Sequence, residues 1–555
     1  MIDEPPATTI HGHLDTPADG DAVVGEVMRV NGWVLFDGST LSSVELTING
    51  VSRGRARCFL DRPDVAANHS HRDAPMAGFM MFVVVDEPHP HQELLVSVEA
   101  ISLDGRRWNS ATHRVIRKRR NDDGADDCRY AERLHQRTVQ ALSDPPPPDH
   151  RLRVAVVTHD LGYGGGQLWL SEMLRQFQSV DVFDVEVISL ADGPLRADLE
   201  DAGIAVHVTA MPAIESPAAH EDRVREFGAL LRLSQCNAVL VNTIMPFQAV
   251  EAAHLAGLPV VWAIHESFEL PVYCHLVWGD HIHPRVIEQF AAAFGRADAL
   301  VFEASQTADL FARYSRPERR FVVDYGVDVG EIDAVRARLD RRAARAGLGW
   351  SDDDIVLLVV GVVQGRKAQA AIVAAFDVLA ATHPHLRLVL VGRHPSTYAD
   401  LLDEQIARAA HGSRVRVEPV TPDVHFWYGV ADLLVCGSDV ESLPRSILEA
   451  MAFELPVVST DVFGVATLLD DGETGWLSRT GDLRSLVATL AHVLRVGTAE
   501  RARVAANART DVMARCGEQA YGALLAHALY ALMLEQGNDP SWLSVRPHLT
   551  RRTPA

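Results

Sequence analysis

Between residues 22 and 117 apolar positions recur in short runs, several with a period of two. Residues 27–35 read as one strand. Val44, Leu46 and Ile48 alternate with Glu45 and Thr47, as on a strand with one buried face. Asn49 and Gly50 follow, the pair that a two-residue hairpin turn favours. Runs at 80–85 and 93–100 continue the pattern, and Asp104 with Gly105 marks another turn. Short strands with regular turns predict a β-sandwich over 21–117. Residues 1–20 are polar and rich in Pro, Asp and His, and are expected to be disordered.

The texture changes after a linker, 118–150, that holds a charged stretch, a short helical pattern at 128–142 and the run Pro145, Pro146, Pro147, Pro148, a stiff extended spacer. β-branched runs at 153–158, 185–190, 238–242, 259–264, 299–302 and 320–323 then alternate with helical stretches such as 166–178 and 222–234. A second series follows, with strands at 355–361, 386–392, 415–420, 433–436 and 456–459. Helices are expected at 367–381, 399–410, 445–452 and 483–496. Strand–helix alternation of this kind means a parallel sheet covered on both faces. The expected fold class is α/β, with one such domain at 151–340 and another at 341–510. A closing helix at 511–536 and a loose tail at 537–555 complete the chain.

Composition narrows the function classes. The chain has 555 residues and a formal net charge of −22 with His neutral. So many carboxylates repel phosphate backbones, and no nucleic-acid partner is expected. Six cysteines are scattered without CxxC spacing, which argues against a disulfide framework or structural zinc. The N-terminus lacks a basic region followed by an apolar stretch, so no signal peptide is expected. No apolar run approaches the roughly 20 residues of a membrane span. A cytoplasmic location fits, with peripheral contact at the inner face of the membrane left open.

Three segments carry the chemistry. Strand 153–158 runs into a glycine-rich turn, Gly162, Gly164, Gly165, Gly166 and Gln167, before a helix. Such glycines let the backbone approach an anion at a helix N-terminus, although a flexible turn would read the same way. The packing of the glycines departs from GxGxxG spacing, which weakens a dinucleotide-dependent dehydrogenase. In the second domain Gly361 ends a strand, and Arg366 and Lys367 are expected where the next helix begins, able to hold a diphosphate leaving group. Finally, Glu441, Ser442, Leu443 and Glu449 lie in a strand-to-helix loop and its helix. Eight residues of separation put the two carboxylates on nearly the same side. Glu449 sits among Leu448, Ala450 and Met451 and needs a partner there.

These motifs, in this order, resemble the family 4 retaining glycosyltransferases of the GT-B fold, over residues 151–535. Glu441 and Glu449 match the family's paired glutamates. Gly361 and Lys367 match its donor diphosphate loop, Gly164 to Gln167 its N-terminal glycine loop, and Asp471, Gly472 and Gly475 its Asp-Gly-x-x-Gly segment. The resemblance implies two facing Rossmann-like domains. It implies that Arg366 and Lys367 stabilise the leaving diphosphate, Glu449 binds the ribose, Glu441 binds the donor sugar, and His265 stands near the anomeric carbon. It implies no cofactor and no metal, since cationic side chains and helix dipoles do that work. The sequence departs from the family at Val362, where an arginine is usual, and at Phe463 and Thr467, where a glycine and a glutamate are usual. More loosely, Arg62 to Val65 and Gly78-Phe79 resemble immunoglobulin-like accessory modules of surface-polysaccharide proteins. Trp33 is either a platform for a sugar or, more simply, a core residue.

The expectation is a retaining, metal-independent hexosyltransferase. It would use a nucleotide sugar as donor and a glycan or lipid-linked molecule as acceptor, in cell-surface polysaccharide or glycoconjugate synthesis. Two rivals remain: another GT-B enzyme, such as a phosphorylase or epimerase, and a non-catalytic carbohydrate-binding or assembly protein on the same scaffold. The base, the sugar, the linkage and the oligomeric state are not legible.

Overall fold

A computed structural model describes residues 9–24, 27–85, 93–118, 152–179, 183–210, 216–279, 282–323 and 326–515. The linker helix at 128–142, the proline run, the tail and most of the expected closing helix lie outside these residues.

The N-terminal module has ten strands: β1 (Ile10–Thr16), β2 (Ala22–Val24), β3 (Val27–Phe36), β4 (Leu41–Ile48), β5 (Val51–Arg55), β6 (Arg57–Leu60), β7 (Gly78–Val84), β8 (Glu93–Ser102), β9 (Arg107–Asn109) and β10 (His113–Lys118). One sheet runs β1-β3-β7-β6 and is antiparallel throughout. The other runs β2-β10-β8-β4-β5, with β9 paired to β8. Val30, Val34, Phe36 and Phe79 from the first sheet share one core with Val44, Leu46, Val96 and Val98 from the second. Alternation on β4 and β8 sends every second side chain into that core. Asn49 and Gly50 both have positive φ, 51° and 77°, as the hairpin between β4 and β5 requires.

Disorder is expected over residues 1–20, and within the described part of that stretch residues 10–16 instead form β1 along the edge of β3. Leu14 is buried in the shared core. Gly12 fits beneath Trp108, where a Cβ would stand 2.7 Å from Cε2 of the ring. The polar residues around these two anchors, His11, His13, Asp15 and Thr16, hide the strand from a composition-based reading.

The next sheet is parallel and contains β11 (Leu152–Thr158), β12 (Phe183–Ser189), β13 (Ala205–Val208), β14 (Ala238–Asn242), β15 (Val260–Ile264), β16 (Ala299–Phe302) and β17 (Arg320–Val322). Its order is β13-β12-β11-β14-β15-β16-β17. Every residue of β14 and β15 is buried, as expected of central parallel strands. The last sheet contains β18 (Ile355–Val360), β19 (Leu386–Arg393), β20 (Val415–Pro419), β21 (Leu433–Cys436), β22 (Val457–Thr460) and β23 (Trp476–Ser478), in the order β20-β19-β18-β21-β22-β23. Both orders are the doubly wound pattern in which the winding reverses between the first and fourth strands. Crevices for ligands open there, at the carboxyl ends of the strands. The sequence reading missed β13 and β23. Both are short edge strands, and β13 buries one residue of four.

The described residues form two compact units. One joins the β-module to residues 328–441 and 446–514; the other centres on 152–327 and takes in 442–445. The helix Val329–Arg338 belongs to the first unit and buries Val329, Ile332 and Val335.

Candidate active site

In the first unit the site grows from the two loops at the switch point of the last sheet. After β18, Gly361 has φ 143°, a left-handed value that favours glycine. The chain then forms a short 3₁₀ turn, Gly365–Lys367, and the helix Gln369–Ala380 begins beyond Ala368. Arg366 and Lys367 therefore do not open that helix, contrary to expectation: Ala368, at φ 51°, interrupts it. The two cations instead reach the loop after β21. Lys367 Nζ pairs with Glu441 Oε1, and Arg366 Nη1 stands 3.7 Å from Glu441 Oε2. The Ser438 hydroxyl donates to Glu441 Oε1 at 2.7 Å. Burial pushes the Glu441 carboxyl up, but Lys367, Arg366 and the hydrogen bonds outweigh it and hold the group below its usual range. Arg366 thus supplies a second cation beside Glu441.

Ser442 and Leu443 follow, both buried, and the helix Arg445–Ala452 carries Glu449 one turn in. The partner that buried Glu449 requires is the Tyr428 hydroxyl, which donates to its Oε2 at 2.8 Å. His425 Nε2 lies 3.9 Å from the other oxygen. Tyr428 is itself held by a stacked Phe453 ring, 5.3 Å away. Glu441 and Glu449 therefore sit in different polar settings, one among cations and one against a phenol. Phe463 keeps a left-handed backbone, φ 41°, at a position where the family resemblance expects glycine. Thr467 is exposed, and its hydroxyl donates to the Gly464 carbonyl at 2.8 Å.

The other unit gathers a second cluster at the ends of β11, β14, β15 and β16. His265 follows β15. Its Nδ1 is 2.6 Å from Glu303 Oε1 and its Nε2 is 2.8 Å from Asn242 Oδ1. The amide nitrogen of Asn242 is engaged with Thr158 Oγ1 and the Gly166 carbonyl, each at 3.2 Å. A carbonyl only accepts, so the Asn242 oxygen must face His265 and accept from Nε2–H. Burial pulls the imidazole down, but Glu303, with Glu266 nearby, wins, and the net shift is upward. Gly166 leaves room for this ring, since a Cβ there would lie 2.9 Å from His265 Cδ2. Gly165 has open space around it, and Gln167 Nε2 donates to Asp160 Oδ1 at 2.5 Å. A Cβ on Gly164 would collide with Gln167.

The sequence reading missed Asn242, Glu303, Ser438 and Tyr428. Asn242 and Glu303 had a signal: each stands at the carboxyl end of a parallel strand, where polar residues have no core to serve. Tyr428 had none, because it is distant in sequence from the glutamate it partners. Trp33 is half-buried, with the His69 ring 5.1 Å away and Arg62 5.9 Å above it. It packs at the edge of the small buried cluster of Leu35, Val65, Ala74 and Ala77. Among the described residues no group of three or more His, Cys, Asp or Glu side chains could hold a metal ion. No described helix is long and apolar enough to cross a membrane.

Two doubly wound parallel domains are the architecture of the GT-B fold. A model of the glycosyl transferases group 1 family matches residues 340–511, and a glycosyl transferase 4-like domain matches 164–326. The chain is 30% identical over 393 residues to D-inositol 3-phosphate glycosyltransferase 1 of Catenulispora acidiphila, covering 64% of this chain and 89% of the relative. It is 34% identical over 275 residues to D-inositol 3-phosphate glycosyltransferase of a Nocardioides strain, covering 45% of this chain and 58% of the relative. The fold is similar to that of Anabaena HepE, solved in complex with UDP-glucose, with a TM-score of 0.57, 22% identity, and coverage of 68% of this chain and 100% of that one. The chain belongs to the family 4-like, group 1 glycosyltransferases, enzymes that move a sugar from a nucleotide-sugar donor to an acceptor.

Proposed function

We propose that this glycosyltransferase moves a hexose, with retention at the anomeric carbon and without a metal, from a nucleoside diphosphate sugar to a glycan or lipid-linked acceptor. The observation that carries the reading is the Lys367–Glu441 pair, with Arg366 at 3.7 Å, at the switch point of a doubly wound sheet. In this reading the cations turn from Glu441 to the donor diphosphate, which stabilises charge on the leaving group. Glu441 is then free to accept from the sugar hydroxyls, beside the backbone of Ser442 and Leu443. Glu449, oriented by Tyr428, accepts from the ribose. Gly164 to Gln167 form the acceptor-side loop. His265 acts as a fixed cation and hydrogen-bond anchor rather than as a base, because both its ring nitrogens are engaged.

An inositol phosphate, the acceptor named for the Catenulispora relative, is one candidate acceptor. Exposed Thr467, in place of the family's glutamate, argues for a donor sugar held differently there. The β-module is read as an immunoglobulin-like accessory domain on the strength of its two sheets around one core. A cytoplasmic site of action is supported by the free thiols of Cys58, Cys236, Cys274 and Cys436, and peripheral membrane contact is part of the same proposal.

The test is thermal stabilisation of the full chain by a panel of nucleotides and nucleotide sugars without added metal, beside Lys367→Ala and Glu449→Ala. Ligand at 100 to 1,000 times its dissociation constant should stabilise by about 3–4 kcal/mol. One base should stand out, and both variants should lose the effect. Absence of any shift with wild-type protein sinks the donor-site assignment.

A further inference from the structure

Arg57 lies on β6, in the N-terminal module, yet its Nε donates to Asp439 Oδ2 at 3.1 Å. Asp439 stands two residues before Glu441. Its backbone N–H donates to the Arg366 carbonyl at 2.8 Å, and Arg366 Nη1 donates back to the Val440 carbonyl at 3.2 Å. One arginine of the β-module thus holds the loop that carries Glu441, and that loop is laced to the turn that carries Arg366 and Lys367. The strand also lies against that turn directly. A Cβ on Gly365 would stand 3.7 Å from Leu60 Cδ2 and 3.9 Å from Arg57 Cδ.

The strand is anchored for this task. Between Cys58 and Leu60 the pairing of β6 with β7 shifts register, and Phe59 there has φ 61°. Such a backbone is costly for a bulky residue. It places the Phe59 ring in one apolar cluster with Val363, Ile372, Val373 and Phe376, where Met76 joins it. Elsewhere on the same interface Arg484 Nη2 donates to the Ser102 and Leu103 carbonyls at 2.8 and 2.9 Å, and Ser42 Oγ accepts from the Arg484 backbone at 2.9 Å. The module is thus built into the second Rossmann-like domain. Burial pushes the Asp439 carboxyl up to about 6, and Arg57 is the cation that pulls against it. Without Arg57 a buried carboxylate loses its partner.

We propose that Arg57 is a positioning residue for the nucleotide-sugar site, and that the strand Arg57–Leu60 clamps the Gly365–Lys367 turn and the Asp439–Glu441 loop so that donor affinity depends on the N-terminal module. The inference rests on the reading of Arg366, Lys367 and Glu441 as the donor diphosphate and sugar groups.

Full-length wild type, Arg57→Met and Arg57→Lys are compared by titration with UDP, GDP and ADP, and by amide hydrogen exchange over 365–367 and 439–441 against the strand Leu386–Arg393. Arg57→Met should weaken binding of whichever nucleotide the wild type takes by tenfold or more. It should speed exchange in both loops while the strand stays protected, and Arg57→Lys should recover part of both. Affinity within twofold of wild type with unchanged loop exchange overturns the proposal. So does a loss of protection spread evenly over the sheet, which marks a purely structural role. If wild-type protein binds none of the three nucleotides, the donor reading fails on its own, and the exchange pattern alone decides the role of Arg57. Should Arg57→Met not fold, Arg57→Gln, which keeps an uncharged donor at the place of Nε, carries the same expectation at smaller size.

Discussion

His265 and Glu303 form a pair, 2.6 Å between Nδ1 and Oε1, in which the imidazole has no spare nitrogen, because Asn242 takes the other. The Asn242 oxygen only accepts, so Nε2 carries a proton, and the Glu303 carboxylate beside Nδ1 favours a second one there. Its raised folded-state value has a signed consequence. A histidine whose value rises on folding contributes stability that is complete below its unfolded value, near ~6.5, and is lost as pH rises through the folded one. Glu303→Gln should therefore cost about 3–5 kcal/mol below that pH, as expected for a broken buried pair, and less at alkaline pH. Urea unfolding of both proteins at pH 6 and pH 9 checks this. An equal cost at the two pH values would mean that the pair is not ionic.

Lys367 and Glu441 should be separable into a stability role and a binding role. Glu441 is held below its usual range, so its contribution is present above the unfolded value and is lost as pH falls through the folded one. Lys367→Met leaves Glu441 buried without its nearest cation. It should cost a few kcal/mol at neutral pH and abolish nucleotide binding. Adding Glu441→Gln should restore most of the stability and none of the binding. Denaturant midpoints and nucleotide titrations on the two variants decide it. Recovered binding in the double variant would remove Lys367 from the diphosphate site.

The Tyr428 hydroxyl orients Glu449. Tyr428→Phe removes that donor from a buried carboxylate without changing the packing on Phe453. It should cost about 1–3 kcal/mol and weaken nucleotide binding, while Phe453→Leu should disturb stability more than affinity. A Tyr428→Phe protein with unchanged affinity would show that Glu449 needs no second group to hold it.

What the sequence made legible follows from where the physics is local. The apolar runs rich in β-branched residues at β11, β14, β15, β18 and β19 announce parallel strands, because a strand covered on both faces buries consecutive residues. Lys367, Arg366, Glu441 and Glu449 stand out in the sequence by their spacing, which is a property of two loops and one helix. β1 and β13 were not found, since an edge strand needs few apolar residues and its partner supplies the rest. The contacts between Arg57 and Asp439, and between Tyr428 and Glu449, are fixed by how elements pack. They leave no periodic trace in the chain. The break at Ala368 was missed for a related reason: alanine is the residue least expected to leave a helix.

Phe463 offers the last test. Its φ of 41° is a conformation that costs an ordinary residue about 1–2 kcal/mol and costs glycine nothing. Its ring is half-buried, so removing the side chain also loses some packing. Phe463→Ala should lose the packing and keep the backbone cost. Phe463→Gly should lose the same packing and relieve the cost. The glycine variant is therefore expected to be the more stable of the two by about 1 kcal/mol, the reverse of the usual order at an ordinary position. Thermal unfolding of the pair measures the difference directly. Should alanine prove the more stable, the left-handed turn carries no strain, and the ring would be there for what it touches rather than despite the backbone it occupies.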